Sequence, residues 1–233
     1  MSGHLMVIGA HISDAENMAG ATMLKHKRAG WTVSIVHMTA GEKGHPTLPA
    51  DEYLPIRLAD AHASADFIGA DLEILPFKDA ELQVTDEAVG MVADLIRRYR
   101  PTVVITHWRG SFHPDHNHTH DIVQQALFVA ELPSFRRQHS AHRPNAVYYA
   151  ENWEDMENYT ADIYLDVTDV FDDYLKLLKT HALMRESYAG FRYYDYYAAL
   201  GQMRGALSGF GKAVTLMRPR GPLSFMRLSG ELG

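Results

Sequence analysis

Short apolar, β-branched runs alternate with longer helical stretches through the first half of the chain, and this alternation most constrains the fold. Four runs are predicted strands: Leu5 to Gly9, Thr32 to Met38, Asp71 to Leu75 and Thr102 to Thr106. The helical stretches between them are Ala15 to Ala29, Ala50 to Ile68 and Asp86 to Tyr99. Such alternation requires right-handed crossovers, so we expect an α/β fold with a Rossmann-like, mostly parallel sheet flanked by helices.

The second half continues less regularly. Ala146 to Ala150 and Ile163 to Val167 are further predicted strands, a helix is predicted from Thr168 to Glu186, and a Tyr- and Gly-rich tail follows. No internal repeat or convincing linker divides the sequence. At 233 residues, the chain is long enough to bury a large core. We therefore predict a single domain over residues 1–233.

Two short motifs each follow an apolar run, which places both on loops that leave the carboxyl ends of strands, where open α/β sheets bind ligands. One is AHISDAE, residues 10–16, and the other is HPDH, residues 113–116. If a helix begins near Asp14, His11 and Asp14 can converge from one turn, and His116 can close a set of three metal ligands. Such an open three-ligand set is typical of catalytic zinc, which activates water near neutral pH. The alternative is that Asp14 or Ser13 merely caps the following helix.

Composition limits the classes of partner and site. The formal net charge of −7 argues against a general nucleic-acid binder, because phosphate contacts require cations. No apolar run reaches membrane-spanning length, and the first residues lack the basic region of a signal peptide, so we expect a cytoplasmic protein. The chain has no cysteine, so nitrogen and oxygen atoms must hold any zinc ion.

The chain resembles the LmbE/PIG-L family of metal-dependent N-deacetylases over most of its length. The matching segments are the first strand with AHISDAE, TAGEKG at 39–44, Arg57 in its helix, Asp79, HPDH, and an Arg204-Gly205…Gly209-Phe210…Ala213 segment. The resemblance implies an LmbE-like fold and a bound Zn²⁺, with another divalent ion such as Fe²⁺ as an alternative. It implies that His11, Asp14 and His116 are the metal ligands and that His113 is catalytic. By the same resemblance, Arg57 and Asp79 contact the substrate or hold the site together.

The first motif departs from the family pattern at one chemically important position. The family usually has AHPDD, and its first aspartate acts as general base, whereas this chain has Ser13 there. A serine hydroxyl does not titrate near neutral pH and cannot take a proton as a carboxylate does. Three interpretations stay open: Glu16, Glu42 or Asp115 replaces the base, His113 acts as both base and acid, or the site binds ligands without rapid turnover.

Other residues carry weaker signals. His37 is predicted to be a packed core residue, His107 is a candidate for contact with a metal ligand, and His118 and His120 are predicted surface or supporting residues. The two-proline loop at 44–49 either covers the site or only connects two elements. A cluster of six aromatic residues either packs the C-terminal segment or forms a pocket wall: Tyr188, Phe191, Tyr193, Tyr194, Tyr196 and Tyr197.

These observations lead to two hypotheses. The leading one is a zinc-dependent hydrolase that removes an acyl group, most plausibly acetyl, from an N-acylated amino sugar or a related small conjugate. The alternative is a catalytically impaired or repurposed family member that binds a glycoside or metabolite at the metal site. A nucleotide-binding Rossmann protein is disfavoured, because His11 and Asp14 stand where the glycines of G-x-G-x-x-G belong. We expect a small-molecule substrate, no nucleic-acid or membrane partner, and leave homo-oligomerisation open.

Overall fold

The sheet has the strand order expected of a doubly wound fold. A computed structural model of the protein describes residues 3–155, 157–186 and 190–220. In that part of the chain the strands are β1 (His4–Gly9), β2 (Thr32–Thr39), β3 (Asp71–Phe77), β4 (Val103–His107), β5 (Ala146–Ala150), β6 (Ile163–Asp166) and β7 (Ala213–Met217). They form one sheet in the order β3-β2-β1-β4-β5-β7-β6. The first five in that order are parallel, and β7 runs antiparallel to both β5 and β6. The predicted mostly parallel α/β sheet is confirmed.

Helices cover both faces of the sheet, which explains why the central strands are continuous apolar runs. They are α1 (Asp14–Arg28), α2 (Ala50–Ile68), α3 (Asp86–Tyr99), α4 (Pro114–Glu131), α5 (Phe171–Leu178), α6 (Ala182–Glu186) and α7 (Tyr193–Ser208). One apolar cluster lies under α1 and α5, and a second lies under α3 and α4. In the described residues, no helix combines the length and hydropathy needed to cross a membrane.

Two predictions for the second half are wrong. The single helix predicted from Thr168 to Glu186 is two helices, α5 and α6, with a turn between them. The predicted tail contains α7 and β7, and β7 is an internal strand of the sheet. The earlier elements match the predicted ones to within two residues at each end.

The strand order places the two motifs together. β1 and β4 are neighbours, and the chain leaves β1 toward β2 on one side and β4 toward β5 on the other. This reversal is the switch point at which open α/β sheets form a crevice beyond the carboxyl ends of their strands. AHISDAE follows β1 and HPDH follows β4, so the fold brings both loops to this crevice.

Candidate metal centre

The loop after β1 folds back tightly on itself. The Asp14 Oδ2 atom accepts a hydrogen bond from the His11 backbone N–H at 2.8 Å, and the Asp14 N–H donates to the His11 carbonyl at 3.1 Å. This closure brings the backbone of Gly9 close to α1. A Cβ atom at Gly9 would lie only 2.9 Å from the Ala15 nitrogen, so a larger residue does not fit there. Ser13 has a φ of +85°, in the left-handed region, and is the N-cap residue of α1.

HPDH begins α4 and directs its side chains into the same crevice. Pro114 occupies the first turn, where it replaces an N–H that would have no helical partner. The His113 Nδ1 atom accepts a hydrogen bond from the Asp115 N–H at 3.2 Å and so caps the helix. His116 lies in the first turn of α4 and is almost completely buried.

His11, Asp14 and His116 converge as the sequence predicts. Each offers one nitrogen or carboxylate oxygen, and these atoms all lie within 4.8 Å of one another. Asp14 Oδ2 lies 3.1 Å from His11 Nδ1 and 3.2 Å from His116 Nε2. Two imidazoles and one carboxylate with room for further ligands fit a catalytic zinc ion, or another divalent ion that accepts nitrogen and oxygen.

The electrostatics of this set also fit a cation. Burial lowers the pKa of His116 to about 3, so its imidazole is neutral, as metal ligation requires. Burial alone would favour the protonated form of Asp14, but the neighbouring His116 and His11 outweigh it and hold the pKa of this carboxyl well below its usual value. The site therefore presents a carboxylate and a neutral imidazole at neutral pH.

Two more carboxylates face the other edge of the His11 ring. Asp79 Oδ1 and Asp115 Oδ2 each lie 3.2 Å from His11 Nε2. Burial opposes a positive charge on His11, yet Asp14, Asp115 and Asp79 together raise its pKa well above its usual value. Backbone N–H groups hold both carboxylates in place: Ala80 donates to Asp115, and Lys43 donates to Asp79. Such carboxylates orient a ligating histidine and set its tautomer.

His113 stands beside these three residues, and with His11 and Asp115 it forms a second group whose nitrogen and oxygen atoms lie within 4.8 Å of one another. Its ring centroid lies 4.6 Å from that of His11, in an edge-to-face arrangement, and 5.0 Å from that of His116. It is partly exposed and lines the cavity. Burial and the neighbouring His11 lower its pKa. An imidazole in this position can reach a bound substrate and exchange a proton with it.

The carboxylates that could replace the missing base at position 13 lie in different surroundings. Ser13 itself is buried and lines the cavity. Glu16 points to the opposite side of α1, where its Oε1 atom accepts a 2.6 Å hydrogen bond from Ser64. Glu42 accepts a hydrogen bond from the Asp79 N–H, and Asp115 faces His11. Of these three, Asp115 lies closest to the ligands.

Arg57 joins the loops that follow β1 and β2. Its side chain is 3% exposed, and its Nε atom donates to the Ala40 carbonyl at 3.1 Å while Nη2 donates to the Ile12 carbonyl. Gly41 has a φ of +70° and lies against this side chain, since a Cβ atom there would lie 3.1 Å from Arg57 Nη2. Arg57 therefore acts mainly as a clamp between the two loops, although it also lines the cavity.

Sequence reasoning missed Glu154, which follows β5. Its Oε2 atom lies 3.2 Å from His116 Nδ1, on the edge of the ring opposite the ligand set. Burial, reinforced by the charge of Asp14, raises the pKa of Glu154 to about 8, so this carboxyl holds a proton at neutral pH. The signal was present, because Glu154 belongs to an acidic run directly after the carboxyl end of a strand, as both motifs do.

Four other histidines that the sequence singled out contact groups of the protein itself. His107 is buried, its ring stacks on His116 at a centroid distance of 4.0 Å, and its Nε2 accepts the Ala10 N–H at 3.0 Å. His37 is also buried, with Nε2 3.6 Å from Glu16. His118 and His120 contact the backbone carbonyls of Leu82 and His107 through Nδ1.

The aromatic cluster divides between core and cavity. Tyr197 is buried and donates a hydrogen bond to Asn152, whereas Tyr193 lines the cavity. Tyr188 lies outside the described residues. The cavity has a volume of about 170 Å³, and it also contacts Tyr53, Trp153 and Leu183, which the sequence did not single out.

Comparison with known enzymes shows which proteins are similar to this chain in sequence. Relatives include 4-oxalmesaconate hydratase of Pseudomonas putida, 22% identical over 91% of this chain and 84% of the hydratase. Diacetylchitobiose deacetylase of Thermococcus kodakarensis is 28% identical over 76% of this chain and 68% of the enzyme. Mycothiol S-conjugate amidase of Streptomyces coelicolor is 29% identical over 64% of this chain, which spans only 61% of the amidase.

Solved structures share the fold over nearly the whole chain. The 4-carboxy-2-hydroxymuconate hydratase of Pseudomonas putida superposes with a TM-score of 0.86 at 20% identity, covering 99% of this chain and 100% of the other. The diacetylchitobiose deacetylase of Pyrococcus horikoshii gives 0.81 at 19% identity, covering 95% and 88%. The family model of PIG-L, described as GlcNAc-PI de-N-acetylase, matches residues 6–127, just over half of the 233 residues. The chain therefore belongs to the PIG-L family.

Proposed function

We propose that the protein is a zinc-dependent hydrolase that removes an acetyl group from an N-acylated amino sugar or a related small conjugate. The observation that carries the proposal is the convergence of His11, Asp14 and His116, with His113 beside them at the cavity. The family match and the deacetylase and amidase relatives support the reaction class. Fe²⁺ is the alternative metal, because the donor set also suits it.

Each residue has a distinct role in this proposal. His11, Asp14 and His116 hold the ion, which when bound supplies an activated water molecule and polarises the acyl oxygen. His113 takes the proton that the attacking water gives up, stabilises charge on the acyl oxygen while it is protonated, and passes that proton to the departing amine nitrogen. Asp79 and Asp115 orient His11, and Glu154 orients His116. Arg57 holds the loops after β1 and β2 together.

The direct test combines metal analysis with acetate release. The protein is loaded with Zn²⁺ and incubated with a panel of N-acetylated amino sugars, and released acetate is measured together with bound metal. We expect one divalent ion per chain and hydrolysis of at least one compound. His11→Ala should lose both, because the site loses one of three protein ligands. Full metal occupancy in that variant would overturn the ligand assignment.

A second candidate is a repurposed member that binds a glycoside or metabolite without efficient amide hydrolysis. Ser13, in place of the usual carboxylate, favours it, as does a relative that is named a hydratase. The same panel distinguishes the two, because a repurposed protein binds metal and ligand but releases no acetate. The cytoplasmic location stays a prediction, and the oligomeric state stays open.

A further inference from the structure

Four aromatic side chains form a continuous strip that leads from the cavity to the protein surface. We call the strip of Phe112, Trp153, Phe191 and Tyr193 the aromatic wall. The Trp153 ring stacks on Phe191 at a centroid distance of 4.3 Å and meets Phe112 and Tyr193 edge to face at 5.6 and 5.5 Å. Trp153 and Tyr193 line the cavity, whereas Phe112 lies at the outer end and is 59% exposed.

The backbone holds Phe112 and Trp153 rigidly in place. The Phe112 N–H donates to the Glu154 carbonyl at 3.3 Å, and Ser111 and Asp155 form an antiparallel bridge. Trp108 Nε1 donates to the Glu157 carbonyl at 2.8 Å. The loops before α4 and after β5 are therefore joined at several points. A preorganised aromatic surface binds a ring at little entropic cost.

The position of the aromatic wall relates it to one side of the reaction. Phe112 directly precedes His113, the group that gives its proton to the departing amine in the proposed function. Trp153 directly precedes Glu154, which contacts the ligand His116. Trp153 and Tyr193 line the same cavity as His113, so the aromatic wall borders the part of the cavity where the departing amine would receive its proton. Contiguous exposed apolar surface marks ligand-binding grooves, whereas a single exposed apolar residue does not, and Phe112 is continuous with Trp153 and Phe191.

We propose that the aromatic wall is a binding subsite for a flat apolar ring attached to the amine part of the substrate. The inference rests on the proposed function and narrows its substrate class to aryl conjugates of an N-acetylated amino sugar. The cavity of about 170 Å³ is smaller than the ~300 Å³ at which sites for drug-sized ligands begin, so a second ring must lie outside it. Phe112 and Trp153 supply the surface on which that ring stacks.

The test compares the methyl and benzyl glycosides of N-acetylglucosamine, in the same anomeric configuration, which differ only by the phenyl group. For the zinc-loaded protein, we expect the KM of the benzyl glycoside to be about three- to tenfold lower, the range that one aromatic contact provides. Phe112→Ala should abolish this difference and leave kcat/KM for the methyl glycoside within about twofold, because Phe112 is not among the residues that line the cavity. Phe128→Ala is the matched control, because Phe128 is also 59% exposed but lies on the outer part of α4.

Calorimetry with the two amine products, the methyl and benzyl glycosides of glucosamine, separates this inference from the proposed function. Tighter binding of the benzyl compound, lost in Phe112→Ala and kept in Phe128→Ala, supports the subsite even if no acetate is ever released. Equal affinity for both amines, or no measurable affinity for either, overturns the subsite even if both acetylated compounds are hydrolysed. Phe112 is a surface residue, so its variant should fold, and a melting curve checks this.

Discussion

At the scale of single residues, the sequence predicts well that His11, Asp14 and His116 converge, because a simple rule places them. His11, Asp14 and His116 all follow the carboxyl ends of adjacent parallel strands, so their convergence needs no knowledge of packing. The partners of those three residues could not be assigned in this way. Asp79 and Glu154 reach the site from two other strand ends, and only the folded loops decide that they face His11 and His116.

His113 is the first residue whose role can be tested by substitution. His113→Ala should keep its metal and melt near the parent temperature, because His113 is not one of the three proposed ligands and is partly exposed. Hydrolysis should fall by about a hundredfold or more, the scale expected for a lost general acid or oxyanion donor. The measurement is acetate release together with bound zinc. His62→Ala, at an exposed histidine of α2, is the control, and parental rates in His113→Ala would refute the catalytic role.

Ser13 provides the second residue test. Ser13→Asp adds a carboxylate beside the ligand set, and aspartate tolerates the left-handed backbone of this position. If the missing base limits turnover, hydrolysis of an N-acetyl amino sugar should rise, since general-base catalysis contributes about a hundred- to ten-thousandfold. Ser13→Asn is the matched control without charge. A lower rate in Ser13→Asp alone would show that the serine belongs to a different mechanism or contacts the substrate.

At the scale of elements, sequence patterns predict the first half and fail where tertiary contacts override them. The helix predicted from Thr168 to Glu186 is interrupted because side chains, one of them distant in sequence, form hydrogen bonds with the backbone at the break. The Ala182 N–H donates to Asp60 of α2 at 2.8 Å, and Arg185 Nη1 donates to the carbonyls of Lys179 and Thr180. None of these partners is visible in the local pattern of apolar residues.

The sequence predicted an irregular tail where α7 and β7 lie, because glycines in α7 suggested flexibility. In the structure these glycines allow close packing instead. A Cβ atom at Gly201 would lie 2.2 Å from the Phe171 ring, and one at Gly205 would lie 2.7 Å from the Gly211 carbonyl oxygen. Glycine is usually unfavourable inside a helix, so these two residues argued for an irregular segment. They allow α7 to approach α5 and the start of β7 instead.

This packing makes a prediction that opposes simple helix propensity. Gly→Ala inside a helix normally stabilises by about 1 kcal/mol, but Gly201→Ala should destabilise by about 1–3 kcal/mol because the new methyl group overlaps Phe171. Urea unfolding measures the change. A double variant with Phe171→Leu supplies the control, because part of the overlap disappears and the two effects should not add. A more stable Gly201→Ala protein would contradict the packing argument.

At the scale of the whole molecule, proteins with this fold are named for different reactions. The chain superposes along nearly its full length on both a hydratase and a deacetylase, so the fold alone does not select between these reactions. The groups at the crevice must decide. Here the crevice collects carboxylates from several loops around a central histidine, and this excess of negative charge links the site to the stability of the entire domain.

That linkage predicts how metal removal depends on pH. Without metal, the carboxylates around His11 hold its pKa well above the unfolded value of about 6.5, despite burial. A raised histidine pKa contributes stability that is complete below about pH 6.5 and is lost as pH rises through the folded-state pKa. Burial likewise raises the pKa of Asp155 to about 8. The protonated Asp155 therefore contributes to the stability of the metal-free protein, and this contribution is lost as pH rises from about 4 to about 8.

A bound divalent ion supplies the positive charge that His11 otherwise takes from a proton. The melting temperature with Zn²⁺ should therefore exceed that with a chelator, and the gap should widen between pH 6.5 and 8.5. An ion at a hundred times its Kd stabilises by about 2.7 kcal/mol. Calorimetric melting curves at several pH values measure the gap. His116→Ala, which keeps every carboxylate around His11 but removes a ligand, should show a much smaller gap, and a gap independent of pH would contradict this account of the site.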